Sequence, residues 1–331
     1  MKSSYLLKVC RWIGAAALVA LLVTGCSRQA ASPPAQQGAA RPGKKIKVGY
    51  ALSSIGHDFF VMMLKGIKDE VKQEKVELIE TVANGDSSKQ LTDVEDLLQQ
   101  GIDILILTPQ DSEAIVPAFD KARAKKIPVV VCDIGVTGRE PDCFIISDNY
   151  QGGVMAADYM IKKLGGKGNV VHIQCQLGAA NARQRSQGFD DTIKKSKIKI
   201  VAEQPADSRR DLAMTVMENI LQAEPKIDGI FAANDPMATG ALLAAKNAGR
   251  LKGMTVVGFN GDAEALKAIK DGDLAATIAQ SPYKMGATAV QMAVKLAKGE
   301  KVEKRVPVPV ELVTSENLAR FEKAAEAIKS K

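Results

Sequence analysis

The sequence predicts an α/β protein made of two successive α/β halves, each an open parallel sheet with helices on both faces. Three observations carry that prediction. Short apolar runs rich in Val and Ile alternate with longer segments whose apolar residues recur at three- and four-residue spacing; this alternation starts near Lys45 and begins again after Ser147. The short runs read as strands buried on both faces and the longer segments as crossover helices. A third observation is length: roughly 290 residues follow the N-terminal leader, enough for two domains of about 150.

The leader comes first. Lys2, Lys8 and Arg11 precede an apolar stretch over residues 13–23, which ends in Val23-Thr24-Gly25-Cys26. A charged start, a short apolar run and small residues at its end define a secretion signal. The run falls short of the roughly 20 residues that a spanning helix needs. Its ending resembles the lipobox of bacterial lipoproteins, which implies cleavage before Cys26 and lipid on that cysteine. Residues 1–25 are therefore expected to be a lipoprotein signal peptide. Residues 26–44 contain no large apolar side chain to offset the entropy of ordering them, and are expected to form a disordered tether. The folded body is expected outside the cytoplasmic membrane, in the periplasm or on the outer cell surface, held to the membrane by its lipid.

In the first half, apolar runs at 46–51, 76–80, 102–107 and 129–132 predict strands, and 59–73, 88–100 and 112–125 predict helices. Asp86, Ser87 or Ser88 is placed to cap the second helix, and Asp111 or Ser112 the third. In the second half the pattern gives helices at 151–164, 182–194, 210–223, 237–248 and 262–270, interleaved with strands at 169–174, 198–203, 229–233 and 255–259. Residues 315–329 place Leu318, Phe321, Ala324 and Ile328 on one face and predict a terminal helix packed on a lobe. Right-handed crossovers put helices on both faces of such sheets, and ligands gather at the carboxyl ends of their strands.

Composition narrows the function. The chain is 46% hydrophobic and 25% charged, and no second long apolar run follows the leader. Its net charge of +7 falls to +4 once Lys2, Lys8 and Arg11 leave with the leader, and no arginine–aromatic stripe appears, so nucleic acid is not an expected partner. Cys132, Cys143 and Cys175 have no C-x-x-C spacing, and His57 and His172 are far apart in the chain, so neither a zinc cage nor a redox pair is expected. Cys132 and Cys143 either meet on neighbouring strands as a disulfide or stay as small buried thiols. No G-x-G-x-x-G opens a helix, the Gly165-Gly166-Lys167-Gly168 turn lacks the P-loop ending, and no G-x-S-x-G elbow is present. No cofactor, no metal and no enzymatic activity are expected.

The polar residues that follow the strands are rich in amides, carboxylates and guanidinium groups. In order, Phe59-Phe60-Val61, Asp133, Ser147-Asp148-Asn149, Ala182-Arg183-Gln184-Arg185, Gln204-Pro205-Ala206-Asp207, Phe231-Ala232-Ala233-Asn234-Asp235, Val257-Gly258-Phe259-Asn260-Gly261 and Ala276-Thr277-Ile278-Ala279-Gln280 resemble the ribose-binding-protein branch of periplasmic sugar-binding proteins across residues 45–313. The resemblance implies the periplasmic-binding-protein-like type I fold, two Rossmann-like lobes with three hinge crossings near Ser147, Gln280 and Pro309. Residues 45–147 plus 281–309 would form the N-terminal lobe, and 148–280 plus 310–331 the C-terminal lobe. It also implies a monomer that closes on a small sugar and delivers it to an ABC permease in the membrane.

By that resemblance His57, Phe59, Phe60, Asp133, Arg183, Asn234, Asn260 and Gln280 bind the ligand, and Ile134, Ser208 and Asp262 line the pocket. The residue types suit a sugar, whose C–H faces stack on aromatic rings while each hydroxyl needs a partner once water is excluded. The chain departs from the ribose pattern at four of these positions: His57 where Asn is usual, Ile134 where Arg is usual, Ser208 where an aromatic is usual and Asn260 where Asp is usual. A ribose-like pentose, another monosaccharide or a polyol is therefore expected. An effector domain of a lac-repressor-type regulator shares the fold, but residues 27–44 hold no paired helices for a DNA-binding headpiece. A receptor for an extracellular signal such as a furanosyl autoinducer, presented to a chemoreceptor or sensor kinase, remains open beside nutrient capture.

Overall fold

The computed structural model describes residues 45–329, so the expected signal peptide, the tether and Cys26 lie outside the described residues. Two six-stranded sheets form the framework. The first is ordered β11-β5-β4-β3-β1-β2 and contains β1 (Lys47–Leu52), β2 (Glu77–Val82), β3 (Ile104–Thr108), β4 (Val129–Cys132), β5 (Cys143–Ser147) and β11 (Arg305–Val308), all parallel. The second is ordered β12-β10-β9-β8-β6-β7 and contains β6 (Lys167–Gln174), β7 (Lys197–Pro205), β8 (Gly229–Ala232), β9 (Thr255–Asn260) and β10 (Ala276–Ala279), with β12 (Glu311–Val313) antiparallel at the edge.

Helices α1 (Asp58–Glu74), α2 (Ser87–Gln99), α3 (Val116–Ala124) and α9 (Pro282–Ala297) pack on the first sheet. Helices α4 (Asn149–Lys163), α5 (Ala180–Ile193), α6 (Arg210–Ala223), α7 (Asp235–Asn247) and α8 (Ala263–Asp271) pack on the second, and α10 (Leu318–Lys329) lies against α8. The chain passes between the sheets at three places: between β5 and α4, between β10 and α9, and between β11 and β12. None of the helices among the described residues is long and apolar enough to cross a membrane.

Each sheet is buried on both faces because successive side chains point to opposite sides. In β1, Val48, Tyr50 and Leu52 join the cluster under α1 and α9, while Ala51 joins the cluster under α2 and α3. Each Ile, Leu or Val so withdrawn from water contributes about 1.5–3 kcal/mol. Local chemistry sets the element ends. The Asp86 carboxylate accepts from the backbone N–H groups of Ser88 and Lys89 at 2.8 and 3.0 Å, which starts α2. The Asp111 carboxylate accepts from Glu113 and Ala114, both at 2.8 Å, and closes the turn before α3.

Glycines clasp helix pairs reciprocally. A Cβ on Gly66 of α1 would overlap the carbonyl of Tyr283 in α9, and one on Gly286 of α9 would overlap that of Met63 in α1. In the other sheet's layer, Gly153 of α4 meets the Arg185 carbonyl of α5, and Gly188 of α5 meets that of Tyr150 in α4. Cys132 and Cys143 sit on adjacent strands, but Cys132 pairs with Ile145 and Cys143 with Val130, a two-residue offset, and both are buried free thiols. Burial pushes both thiols up, Cys143 to about 11.

Candidate ligand site

The carboxyl ends of both sheets converge on one cavity of about 470 Å³. From the first sheet's side come Ser53 and Ser54 after β1, His57, Phe59 and Phe60 at the start of α1, Gln110 after β3, and Asp133 and Ile134 after β4. From the second come Cys175 and Gln176 after β6, Asn181 and Arg185 on α5, Ser208 after β7, Asn234 after β8, Asn260 at the end of β9 and Gln280 after β10.

Phe59 and Phe60 meet edge to face, their ring centroids 5.2 Å apart, at the first turn of α1. Phe59 is buried and Phe60 half-buried, so together they make an apolar wall beside polar groups. His57 stands just before them, at the N-cap of α1, without capping it. Desolvation lowers its pKa, which favours the neutral imidazole.

Asp133 and Arg185 form the electrostatic centre. Arg185 is 6% exposed; its Nε donates to Asn149 Oδ1 at 2.8 Å, a terminal nitrogen donates to the Ala233 carbonyl at 3.1 Å, and the guanidinium lies 4.1 Å from the Phe259 ring centroid. Burial lowers its pKa, and Cys175, Asp133, Asp235 and Asp262 counter that. Burial also raises the Asp133 pKa, against the pull of Arg185 and of the Asn181 amide. Asp133 has φ +70°, and Asp207, Ser208 and Asn260, also at the cavity, have φ of +48°, +62° and +133°. Side chains with a Cβ occupy this region at a cost of about 1 kcal/mol each, and such strain gathers where geometry serves a site.

Asn234 and Gln280 complete the polar rim. Asn234 Oδ1 accepts from Met237 N at 2.9 Å and caps α7, which turns its Nδ2 toward the Ser208 carbonyl at 3.4 Å. Gln280 Nε2 donates to Asn260 Oδ1 at 2.8 Å. Behind them the buried Asp235 carboxylate accepts from the N–H groups of Gly261 and Asp262 and from the Thr277 hydroxyl at 2.7–2.8 Å, pinning the turn that carries Asn260. A side chain at Gly258 would occupy the space of that carboxylate.

Two expectations need correction. Arg183 does not line this cavity: it follows α5 around to the outer groove beside Leu177, whose carbonyl it hydrogen-bonds at 2.5 Å. Arg185, two residues on, takes the inner position. A helix turns about 100° per residue, so neighbours two apart face opposite ways, and Asn181, Ala182 and Arg185 share the cavity side. Asp262 is the second: its carboxylate accepts from Asn260 Nδ2 at 3.4 Å and faces the neighbouring grooves. Ser53, Gln110 and Asn181 fall within the strand-end stretches 53–60, 109–112 and 176–185 that the sequence marks but are not among its named ligand groups, and Cys175 lies just outside them. All four follow a strand's carboxyl end, the signal that marked the others.

Among the described residues, four buried side-chain polar atoms lack a hydrogen-bond partner: Ser53 Oγ, Thr81 Oγ1, Asp133 Oδ1 and Gln280 Oε1. Three of the four belong to residues of this cavity. Leaving such an atom unsatisfied costs about 1–3 kcal/mol, so their concentration marks a place built to meet hydroxyl or amide groups.

Fold and site define a two-lobed binding protein with one cavity lined from both sheets at their strand ends. The chain belongs to the periplasmic binding protein family: a periplasmic binding protein domain model matches residues 48–301. It is 40% identical over 295 residues to the ribose import binding protein of Bacillus subtilis, which covers 88% of this chain and 95% of that relative. Among solved structures, the myo-inositol binding protein of Caulobacter, bound to myo-inositol, is 32% identical with a TM-score of 0.81, covering 87% of this chain and all of that one. An ABC transporter periplasmic solute binding protein of Actinobacillus succinogenes with bound D-allose is 32% identical with a TM-score of 0.78, covering 83% of this chain and all of its own.

Proposed function

We propose that this protein is an extracytoplasmic substrate-binding protein of an ABC importer that captures a neutral monosaccharide or polyol of five or six carbons between its lobes. The observation that carries the reading is the set of unpartnered buried atoms, Ser53 Oγ, Asp133 Oδ1 and Gln280 Oε1, gathered around one cavity with a Phe59–Phe60 wall. A volume of about 470 Å³ lies in the range of small-molecule sites. Relatives that carry ribose, D-allose or myo-inositol in their names support the same ligand class.

The phenyl rings take the C–H face of the guest. Asp133 accepts from two hydroxyls, Arg185 donates, and Asn234, Asn260 and Gln280 do both. Two carboxylates, Asp133 and Asp207, and two guanidinium groups, Arg185 and Arg209, balance in the cavity lining, which favours an uncharged guest over a sugar acid. Because the groups sit on both sides of three thin crossings, a guest that touches both lobes stabilises the closed arrangement and shifts the population toward it. That closed form is the signal to an ABC permease. Residues 1–25 serve as the signal peptide, lipid on Cys26 anchors the chain, and residues 26–44 give it reach.

Isothermal titration of the protein against D-ribose, D-allose, xylitol, myo-inositol and D-glucuronate tests the reading. One neutral member is expected to bind at one per chain with Kd in the micromolar range or below, and glucuronate to bind far more weakly. Failure of every neutral sugar and polyol to bind would overturn it.

A further inference from the structure

A second cluster of chemistry lies outside the cavity, where β6, β7 and α5 meet. His172 is fully buried on β6, its ring centroid 5.3 Å from those of Phe189 and Phe231. Its Nδ1 lies 3.0 Å from Asp190 Oδ1 on α5 and 3.7 Å from Glu203 Oε1 on β7. These ligand atoms all fall within 4.8 Å of one another. The juxtaposition follows from topology: His172 and Glu203 are paired residues of neighbouring parallel strands, and α5 crosses the same face with Asp190 one turn beyond Ser186.

The proton count of this cluster is unusual. A neutral imidazole has one N–H. If Nδ1 gives it to Asp190, Glu203 Oε1 faces the same nitrogen with only the Gln174 amide to satisfy it. The other ring nitrogen is already engaged, since Nε2 lies 3.2 Å from Ser186 Oγ. Metal-bound histidines have their far ring N–H fixed by an oxygen acceptor, a role the Ser186 hydroxyl oxygen can fill here. We infer that His172, Asp190 and Glu203 form a three-ligand site for a borderline divalent cation, Zn²⁺ in the first place, which takes the position of the Nδ1 proton. One nitrogen and two carboxylate oxygens at about 2.0–2.2 Å suit zinc, with a fourth position left for water. Calcium, which takes six to eight oxygens, is excluded by the imidazole and the ligand number. The adjoining groove of about 390 Å³, lined by Gln174, Ser186 and Asp190 together with Arg183, Asp191 and Lys194, is the entry path. Bound there, the ion ties the edge strand β7 and helix α5 to β6.

The sequence spacing hid this site, because only one histidine contributes and its carboxylate partners lie 18 and 31 residues further along. Calorimetry and thermal unfolding of EDTA-stripped protein, titrated with ZnCl₂ and in parallel with CaCl₂, test it. Zinc is expected to bind one per chain and raise the melting temperature, with no response to calcium. Replacing His172 would disturb the core around it, so the variants are Glu203→Gln and Asp190→Asn, whose side chains reach solvent. Each is expected to weaken zinc binding about 10-fold or more while leaving the metal-free melting curve cooperative. Loading with Co²⁺ is expected to give a visible d–d band in the parent protein that both variants lose. Absence of saturable zinc binding would overturn the site, and so would variants that bind zinc as the parent does, which would put the ion elsewhere, His57 included.

Discussion

Arg185 organises the second lobe's share of the cavity, held by Asn149 and the Ala233 carbonyl and facing Asp133 across the cleft. Exchanging it for Met keeps most of the packing volume and removes the charge-assisted donors, each worth about 1.5–3 kcal/mol. Ligand affinity measured by titration is expected to fall about 30-fold or more in Arg185→Met and to stay within about 2-fold in Arg183→Ala. Asp235 supplies a pH signature. Burial pushes its pKa up to about 6, so the folded state holds the proton more tightly than the unfolded chain does. Stability contributed by that protonation is fully present below pH ~4 and is lost as pH rises through about 6. Relative to Asp235→Asn, the parent is expected to lose on the order of 2–3 kcal/mol between pH 4 and 7 in urea melts, and a parallel pair of curves would refute the assignment. The family resemblance pointed to Asp133, Asn234 and Gln280, polar residues just beyond strand ends that the structure places in the cavity lining. It failed at the Arg183–Arg185 pair, where helix phase decides and the sequence offers two arginines two positions apart.

At the scale of elements, the start of α5 is capped from the opposite lobe. Its N-cap residue is Ala179, which has no side chain to accept a hydrogen bond. Ser112 Oγ accepts from Ala180 N at 3.4 Å, and Gly178 leaves room for the Asp111 carboxylate. Closure thus completes a helix end, worth about 0.5–2 kcal/mol. Ser112→Ala is expected to weaken ligand binding about 2- to 10-fold, and Gly178→Val to weaken it further and to hold the radius of gyration of the ligand-saturated protein at the open value in small-angle scattering. Equal radii for the parent and the valine variant would dismiss this contact. Most strands and helices were readable from period and from their turn residues. α9 was not assigned in the sequence, although Met285, Ala289, Val290, Ala293 and Val294 form a buried stripe along it. The edge strands β11 and β12, four and three residues long with Pro307 and Pro309 beside or within them, are too short for any periodicity to show.

For the molecule as a whole, the reciprocal glycine clasps matter most. α4 and α9 each follow a crossing between the sheets, and each is locked against a helix that lines the cavity, α5 and α1 respectively. A turn about the crossings is therefore expected to carry the phenyl wall with α9 and the Arg185 side with α4. Gly153→Val and Gly286→Val are each expected to destabilise the protein by about 1–3 kcal/mol in denaturant melts and to loosen ligand binding, because the paired helices must separate. Unchanged melts would show that the helices yield without cost. The two-layer α/β plan was legible because each repeat of strand and helix is local. The interleaving of the lobes was visible only through family resemblance, since pairings such as β11 with β5 join residues more than a hundred positions apart.

That interleaving bears on how the chain is made. β11 and β12 each close one margin of a sheet, yet in chain order they follow every other strand among the described residues. The first sheet has all its strands only once Val308 is made and the second only once Val313 is, so a nascent polypeptide stays uncommitted until both edges emerge, and a product truncated before Arg305 lacks an intact copy of either half.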